Sequence, residues 1–239
     1  MAASAEQHDF AGLGYSRSQV DAAGDTLRKW SATATLLWGV PEADALAVAL
    51  AYRAAHQASL TSVVMGLRSM VKTVGAPVIV AQRLKRMPAI VGKLARFPRM
   101  DLSRMQDIGG CRAILPDQGT VTKVRRRISK NGWKVDKEYD YVSSPKDTGY
   151  RALHVVVVNH DRLVEVQLRT AAQHSWAEAV EKIELRRRYG LKDGTGPQVL
   201  MELLRQSAYA MDHISRGEVM SAEFDREFDE LRRRAKPHL

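Results

Sequence analysis

The sequence has one cysteine and no long apolar run, and both shortages narrow the kind of protein it encodes. A single cysteine, Cys111, excludes an intramolecular disulfide and a cysteine-built zinc cluster, and the apolar stretch GGCRAIL predicts a buried structural thiol. No apolar run approaches the roughly 20 residues of a membrane span, and the start MAASAEQHDF lacks the basic and apolar regions of a signal peptide. We therefore expect a soluble cytoplasmic protein with no membrane partner.

Acidic residues are outnumbered by basic ones, and two stretches contain none. The chain of 239 residues has 27 Asp and Glu against 37 Lys and Arg, a net charge of +10. Six basic residues and no acidic one lie between Ala76 and Met100, and six more lie between Gln118 and Lys134. Uncompensated basic runs favour an anionic partner such as a nucleotide or a nucleic acid. The alternative is a basic surface exposed only to solvent.

Hydrophobic patterning predicts a sheet between two helical regions. Residues 1–75 are typical of helices, with an apolar stripe at three-and-four spacing, and residues 193–239 are predicted to form one or two further helices. Residues 76–192 hold five strand candidates: PVIVAQRLK, IGGCRAIL, WKVDKEYDYV, ALHVVVV and LVEVQLRT. Asp117 and Thr170 are each placed to cap a following helix. The predicted fold class is α/β, with a mixed five-stranded sheet flanked by N- and C-terminal helices.

The polar faces of two predicted strands hold candidate functional groups. In LVEVQLRT, period-two alternation puts Glu165, Gln167 and Arg169 on one face, either towards water or into a charged cleft. Asp107 starts the strand that contains Gly109 and Gly110, where a ligand or another strand can approach closely. Two carboxylates near basic runs indicate a metal and polyphosphate cleft.

The strand candidate WKVDKEYDYV leads into the loop SSPKDTGYRALH. Its strict alternation predicts Trp133, Val135, Lys137, Tyr139 and Tyr141 on one face. The loop offers Lys146 to a phosphate and Tyr150 to a base, although a tyrosine after a turn is also typical of a hydrophobic plug.

Four motifs resemble, in order and spacing, the RelA/SpoT synthetase domain: RLKRMPAIVGK, DIGGCRAI, DYVSSPKDTGYRALH and VEVQLRTAAQHSWAE. The resemblance covers residues 78–190, and its last two motifs are the specific ones. It implies a nucleotidyltransferase-like sheet and transfer of the β,γ-pyrophosphate of ATP to a ribose 3′-hydroxyl, with release of AMP. Acceptors in this family are GDP or GTP, giving (p)ppGpp, while some short toxin members modify the tRNA 3′-terminal adenosine or make adenosine alarmones.

Carried onto this chain, the resemblance implies a role for each matching residue. Mg²⁺ would be held by Asp107 and Glu165, and Glu165 would also take the 3′-hydroxyl proton. The ATP side would consist of two arginines on the adenine and two lysines on the phosphates: Arg83, Arg112, Lys85 and Lys93. The acceptor side would consist of a stacking tyrosine and four polar residues: Tyr150, Lys146, His154, Gln167 and Arg169.

Two positions depart from the family pattern and leave the acceptor open. Thr148 stands where an Asn usually helps to read guanine, and Ala89 stands where a phosphate-binding Ser is common. The basic run KVRRR could contact several backbone phosphates of a tRNA through Arg125, Arg126, Arg127 and Lys130. Our leading hypothesis is a growth-arrest toxin that modifies tRNA and has a neutralising antitoxin protein. The alternatives are a GDP, GTP or adenosine-nucleotide acceptor, and a catalytically silent RNA-binding module.

Overall fold

A computed structural model describes residues 13–33 and 40–239, so the N-terminal stretch MAASAEQHDF lies outside the described residues. The elements follow in the order α1 (Arg17–Thr33), α2 (Val40–Ala54), α3 (His56–Thr73), β1 (Ile79–Leu84), α4 (Met87–Arg96), β2 (Gly109–Leu115), α5 (Gln118–Lys130), β3 (Lys134–Asp140), β4 (Leu153–Asn159), β5 (Arg162–Thr170), α6 (Ala171–Arg187), α7 (Gln198–Ser215) and α8 (Ala222–Ala235). Short 3₁₀ turns lie at Leu102–Arg104, Leu191–Asp193 and Lys236–His238. All five predicted strands are confirmed.

The five strands form one mixed sheet in the order β1-β2-β5-β4-β3. Strands β2 and β5 pair in parallel at its centre, and the other neighbouring pairs are antiparallel. Helices precede and follow the sheet along the chain, which confirms the predicted fold class. The central parallel pair requires a long connection, and helix α5 with the β3–β4 segment supplies it.

One face of the sheet is the core face, and helices α3 and α5 cover it. Alternate residues of β2, β4 and β5 point into this core, among them Cys111, Val155 and Val166. Helix α5 contributes Val121, Val124 and Ile128 to the same core. Cys111 is buried as predicted, and burial raises the pKa of its thiol to about 12. The opposite face of these strands is therefore free to carry polar side chains.

A β-bulge in β3 contradicts the strict alternation predicted for that strand. Val135 pairs with Val157 and points to the core face, whereas Lys137 pairs with Val156 and points to the opposite face. Trp133 also packs against the core. The prediction that residues 133, 135, 137, 139 and 141 share one face was wrong, because the extra residue at the bulge shifts the alternation by one position.

Two helix starts agree with the predicted caps. The Asp117 side chain accepts a hydrogen bond from the backbone N–H of Thr120 at 2.6 Å, at the start of α5. Thr170 and Gln173 form a reciprocal capping box at the start of α6. Because β5 ends where α6 begins, this box fixes the direction in which the chain leaves the sheet.

Two smaller cores lie beside the sheet. Helices α1, α2 and α4 bury Leu27, Tyr52 and Leu94 together, and helices α6 and α7 bury Trp176 and Leu204 together. Helix α3 packs in the core of the sheet, although it precedes the predicted region boundary at residue 75. The region boundaries at residues 75 and 192 stay predictions. In the described parts of the chain, no helix combines the length and apolarity needed to cross a bilayer.

Candidate active site

The face of the sheet opposite the core carries two rows of side chains. Side chains of directly paired residues lie on the same side, so the pairing register gives both rows. The first row is Arg83, Gly110, Glu165, Val156 and Lys137. The second row is Ala81, Arg112, Gln167, His154 and Tyr139. Four strands therefore contribute predicted site residues to one surface. These residues belong to the predicted ATP and acceptor sites.

Asp107 lies between two lysines just before β2. Its two carboxylate oxygens accept hydrogen bonds from Lys85 at 2.9 Å and from Lys93 at 2.8 Å. Burial raises the pKa of Asp107, but the charges of Lys93 and Lys85 outweigh burial and hold that pKa below its usual value. The carboxylate is thus ionised at neutral pH and lies between the two predicted phosphate-binding lysines.

Glu165 lies on β5 and accepts hydrogen bonds from two neighbouring side chains. His154 Nδ1 is 2.9 Å from one carboxylate oxygen, and Gln167 Nε2 donates to the other at 2.6 Å. Burial raises the pKa of Glu165, but the bond and charge of His154 outweigh it, with help from Gln167, and the pKa lies below its usual value. The charge of Asp107 raises the pKa of Glu165, which places the two carboxylates within electrostatic range of each other.

Five predicted site residues form a closed hydrogen-bonded ring. Arg169 donates to the Tyr150 hydroxyl and, at 2.8 Å, to the side-chain amide oxygen Oε1 of Gln167. The Tyr150 hydroxyl lies 2.7 Å from His154 Nε2, and His154 and Gln167 both bond to Glu165. Burial raises the pKa of Tyr150 to about 12, so this hydroxyl keeps its proton at neutral pH. Because the ionised Glu165 carboxylate can only accept, the imidazole carries a hydrogen on Nδ1.

Arg83 and Arg112 lie on adjacent strands at one side of the carboxylates. Arg83 is exposed, and Arg112 Nη1 is 3.1 Å from His174 Nδ1 on α6. Burial lowers the pKa of Arg112, and the nearby charge of Arg169 lowers it further. Burial and the charge of Arg112 also lower the pKa of His174, which favours its neutral form. This side of the cleft therefore concentrates positive charge, which suits an anionic ligand.

The loop between β3 and β4 carries an aromatic and cationic cluster. Lys146 Nζ lies 4.7 Å from the ring centre of Tyr141 and 5.5 Å from that of Tyr150. Tyr150 is half-buried and lies near Trp176, with ring centres 6.5 Å apart. Tyr141 and His174 were not among the predicted site residues. Tyr141 follows Tyr139 at period two, so the strand pattern contained a signal for it, whereas His174 reaches the site from a helix.

The basic run of α5 lies away from this cleft. The apolar side of α5 packs on the core face of the sheet, which is opposite the face that carries Glu165. Arg125 is hydrogen-bonded to Glu138. Arg126 and Lys130 are exposed, and Arg127 is half-exposed. The structure therefore brings together the predicted ATP, metal and acceptor residues but leaves the four predicted tRNA contacts on another surface.

The carboxylate pair fits a hard divalent cation. Mg²⁺ prefers oxygen ligands and is usually bound through one or two carboxylates, with substrate phosphates and water completing its shell. Asp107 and Glu165 supply carboxylates of this kind, both held ionised. Among residues 13–33 and 40–239, no cluster of three or more His, Cys, Asp or Glu could hold a metal ion. Any Mg²⁺ at this pair would take its remaining ligands from substrate phosphates and water.

Comparisons with known proteins assign this cleft to a family. Residues 82–189 match the model described as "Region found in RelA / SpoT proteins". The chain is 30% identical over 161 residues to the GTP pyrophosphokinase YjbM of Bacillus subtilis, covering 60% of this chain and 74% of that protein. A GTP pyrophosphokinase family protein from Streptococcus pneumoniae has a similar structure, with a TM-score of 0.57 and 25% identity over 66% of this chain and 84% of that one. Small alarmone synthetase 2 of B. subtilis shares the fold, with a TM-score of 0.60 and 22% identity over 70% of this chain and 93% of its own.

Proposed function

The chain belongs to the RelA/SpoT family of pyrophosphokinases, and we propose that it transfers the β,γ-pyrophosphate of ATP to the ribose 3′-hydroxyl of GDP or GTP. The products are AMP and a guanosine alarmone. This acceptor replaces tRNA as the leading candidate, because the basic residues of α5 lie across the sheet from the cleft. The similarity to YjbM, a GTP pyrophosphokinase, supports the same acceptor. A catalytically silent RNA-binding module is not proposed, because the chain belongs to a family of pyrophosphokinases.

The ring of side chains that joins Tyr150 to Glu165 carries this proposal. Tyr150 is the proposed stacking partner of the acceptor base, and Glu165 is the proposed base for the 3′-hydroxyl. One side chain, His154, links them, so a single nucleoside that lay across His154 would bring its base to the Tyr150 ring and its 3′-hydroxyl to Glu165. Glu165 is ionised and receives two hydrogen bonds, which orient it for proton abstraction.

The donor nucleotide is proposed to occupy the side of the cleft nearer β1. Arg83 and Arg112 lie on one face of adjacent strands, where both guanidinium planes can stack on adenine. Lys85 and Lys93 would bind the ATP phosphates once these replace Asp107 as their partners. Mg²⁺, when bound at Asp107 and Glu165, supplies charge neutralisation for the transferred phosphoryl groups. The residues of the chain orient the nucleotides and accept the proton.

A tRNA acceptor is the second candidate, with the growth-arrest role and the antitoxin partner that go with it. The observation that favours it is the exposed basic surface formed by Arg126, Arg127 and Lys130 on α5. Thr148, in place of the usual Asn, also weakens the case for guanine. A tRNA that placed its 3′ end in the cleft and also contacted α5 would have to pass around an edge of the sheet.

Transfer of label from γ-³²P-ATP distinguishes these acceptors. The purified chain is incubated with labelled ATP, Mg²⁺ and, separately, GDP, GTP, unlabelled ATP or bulk tRNA. The proposal predicts label on GDP or GTP with stoichiometric AMP, and no more label on tRNA than in a reaction without enzyme. Label on tRNA alone overturns the guanosine acceptor and supports the second candidate. Arg216→Gln, just after the end of α7 and outside the cleft, is the matched control and is expected to label the same acceptor as wild type.

A further inference from the structure

Helix α7 lies beyond residues 82–189, which match the family, and it packs against the loop that carries Lys146 and Tyr150. Gly149 of that loop has φ +89°, which favours glycine. A Cβ built on Gly149 would lie only 3.0 Å from the Cα of Arg205 and 3.2 Å from the Leu204 carbonyl oxygen of α7. The loop backbone is therefore in close contact with the helix backbone, one residue before Tyr150.

An ion pair links the loop to α7 beside this contact. Arg151 lies 3.5 Å from Asp212 of α7, and the two side chains are only 16% and 12% exposed. Arg151 also donates a hydrogen bond to the Val142 carbonyl at 2.9 Å. One guanidinium therefore joins the start of the loop, the end of the loop and the helix. Little solvent reaches this pair, so it is screened less than a surface ion pair.

The turn inside the loop connects the Arg151–Asp212 ion pair to the predicted acceptor residues. The Gly149 N–H donates to the Lys146 carbonyl at 2.8 Å, and the Lys146 N–H donates to the Tyr150 carbonyl at 3.2 Å. These bonds hold Lys146 and Tyr150 on the two sides of one tight turn. Movement of Arg151 therefore carries both residues with it.

Helix α7 is itself fixed to the catalytic strand through α6. The indole N–H of Trp176 on α6 donates to the Leu204 carbonyl at 2.9 Å and lies 3.1 Å from the Ser207 hydroxyl oxygen. Helix α6 begins directly after β5, the strand of Glu165. Strand β5, α6, α7 and the loop thus form a continuous set of contacts from the catalytic carboxylate to the acceptor residues.

We propose that Asp212 is a positioning residue for the acceptor nucleotide, acting through Arg151 on the loop that holds Lys146 and Tyr150. Asp212 touches neither nucleotide in this assignment. The inference rests on the proposed function only in that the loop binds an acceptor, and it holds for any acceptor that gains label. The second partner of Asp212 is Arg216, one helical turn away and half-exposed, which provides a matched control.

Steady-state kinetics of Asp212→Asn, Arg151→Gln and Arg216→Gln test this proposal. Asp212→Asn and Arg151→Gln are expected to raise KM for the acceptor on the order of tenfold and to leave KM for ATP unchanged. Arg216→Gln, which removes the other partner of Asp212, is expected to leave both constants unchanged. The double variant Asp212→Asn/Arg151→Gln is expected to be no worse than the poorer single variant, because both changes break one contact.

Three results would overturn the positioning role. These are an unchanged acceptor KM in Asp212→Asn, an equal rise in KM for ATP, or the same defect in Arg216→Gln. Arg151→Lys, which keeps the charge, covers the case in which Arg151→Gln fails to fold, and it is expected to retain part of the acceptor affinity. The assay uses whichever acceptor the wild-type chain labels. A wild type that labels no guanosine nucleotide therefore contradicts the proposed function, whereas an unchanged KM contradicts only this inference.

Discussion

The Tyr150 hydroxyl and the Glu165 carboxylate are joined through a single imidazole. His154 Nε2 lies 2.7 Å from the phenolic oxygen, and His154 Nδ1 lies 2.9 Å from the carboxylate. Closure of the ring through Arg169 and Gln167 leaves both oxygens of Glu165 with a donor. The orientation of the proposed base therefore depends on a residue of the acceptor loop.

Removal of this imidazole is expected to change the pH dependence of the reaction. His154→Phe takes away the largest contribution that lowers the pKa of Glu165, so this pKa rises. The reaction requires the ionised carboxylate. As the pH is lowered, His154→Phe is therefore expected to lose activity at a higher pH than wild type does. His154→Gln, which can still donate, is expected to shift the profile less. Profiles of kcat/KM from pH 5 to 9 that coincide for His154→Phe and wild type would contradict this coupling.

Asp107 and Glu165 are expected to be indispensable for turnover. Asp107→Asn and Glu165→Gln keep the side-chain shape but remove the charges assigned to Mg²⁺ and to the base. Activity is expected to fall by at least about 10³-fold, because charge stabilisation dominates phosphoryl transfer. AMP release measures the loss, and circular dichroism verifies the fold. Asp225→Asn on the exposed side of α8 is the control, and a cleft variant that stayed within tenfold of wild type would refute the assignment.

The donor and acceptor sides are expected to respond separately to substitution. Arg83→Ala and Arg112→Ala remove stacking on adenine and are expected to raise KM for ATP, at about 0.5–2 kcal/mol each. Tyr150→Ala is expected to act on acceptor saturation. Initial rates measured with each nucleotide varied in turn make the distinction. If Tyr150→Ala changed only the KM for ATP, the donor and acceptor sites would have to be assigned the other way round.

A buried histidine outside the cleft is expected to make the fold sensitive to acid. His56 is fully buried beside Tyr52, and burial lowers its pKa from 6.5 to about 4. The unfolded chain therefore binds a proton that the folded chain excludes, so stability is full above pH 6.5 and falls as the pH drops towards 4. The loss is expected to reach about 3 kcal/mol. Urea unfolding of wild type and His56→Gln at pH 7.5, 5 and 4 measures it, with about 2 kcal/mol of the loss expected by pH 5. Equal pH dependence of the two proteins would exclude His56 as the cause.

The basic surface of α5 separates the two acceptor candidates. Arg126→Glu/Arg127→Glu is expected to leave transfer to GDP nearly unchanged, because these residues lie on the core side of the sheet. Any transfer to tRNA is expected to weaken and to become less sensitive to salt, because each lost phosphate contact reduces counterion release. Initial rates from 50 to 300 mM KCl are compared with those of Arg216→Gln. Equal loss with both acceptors would indicate misfolding or a role in the ATP site.

The sequence was sufficient for the elements but not for all of their contacts. Short apolar runs between turn signals predicted every strand, and local capping signals at Asp117 and Thr170 predicted two helix starts, because both depend on neighbouring residues. The ring around Glu165 depends on the register of β4 against β5, which places His154 opposite Gln167. That register follows from a two-residue turn at His160 and Asp161, both with positive φ.

Long-range packing was the part that local patterns could not supply. Nothing near Arg151 indicates a partner some sixty residues later in the chain, and nothing near Lys123 indicates which face of the sheet α5 covers. The basic run of α5 has no acidic residue near it in sequence, yet Arg125 is hydrogen-bonded to Glu138 on β3. Lys85 and Lys93 likewise find Asp107 once α4 is docked.

The bulge in β3 marks the one position at which the length of this strand can change without reversing its faces. Val135 and Lys137 pair with consecutive residues of β4, so Asp136 is the extra residue. Deletion of Asp136 would make Val135 and Lys137 neighbours on opposite faces, which is the arrangement of regular alternation, and Tyr139 would stay paired with His154. A homologue one residue shorter at this point would therefore need no compensating change in the rest of the strand. Alignments across this strand can accordingly place a gap of one residue at position 136.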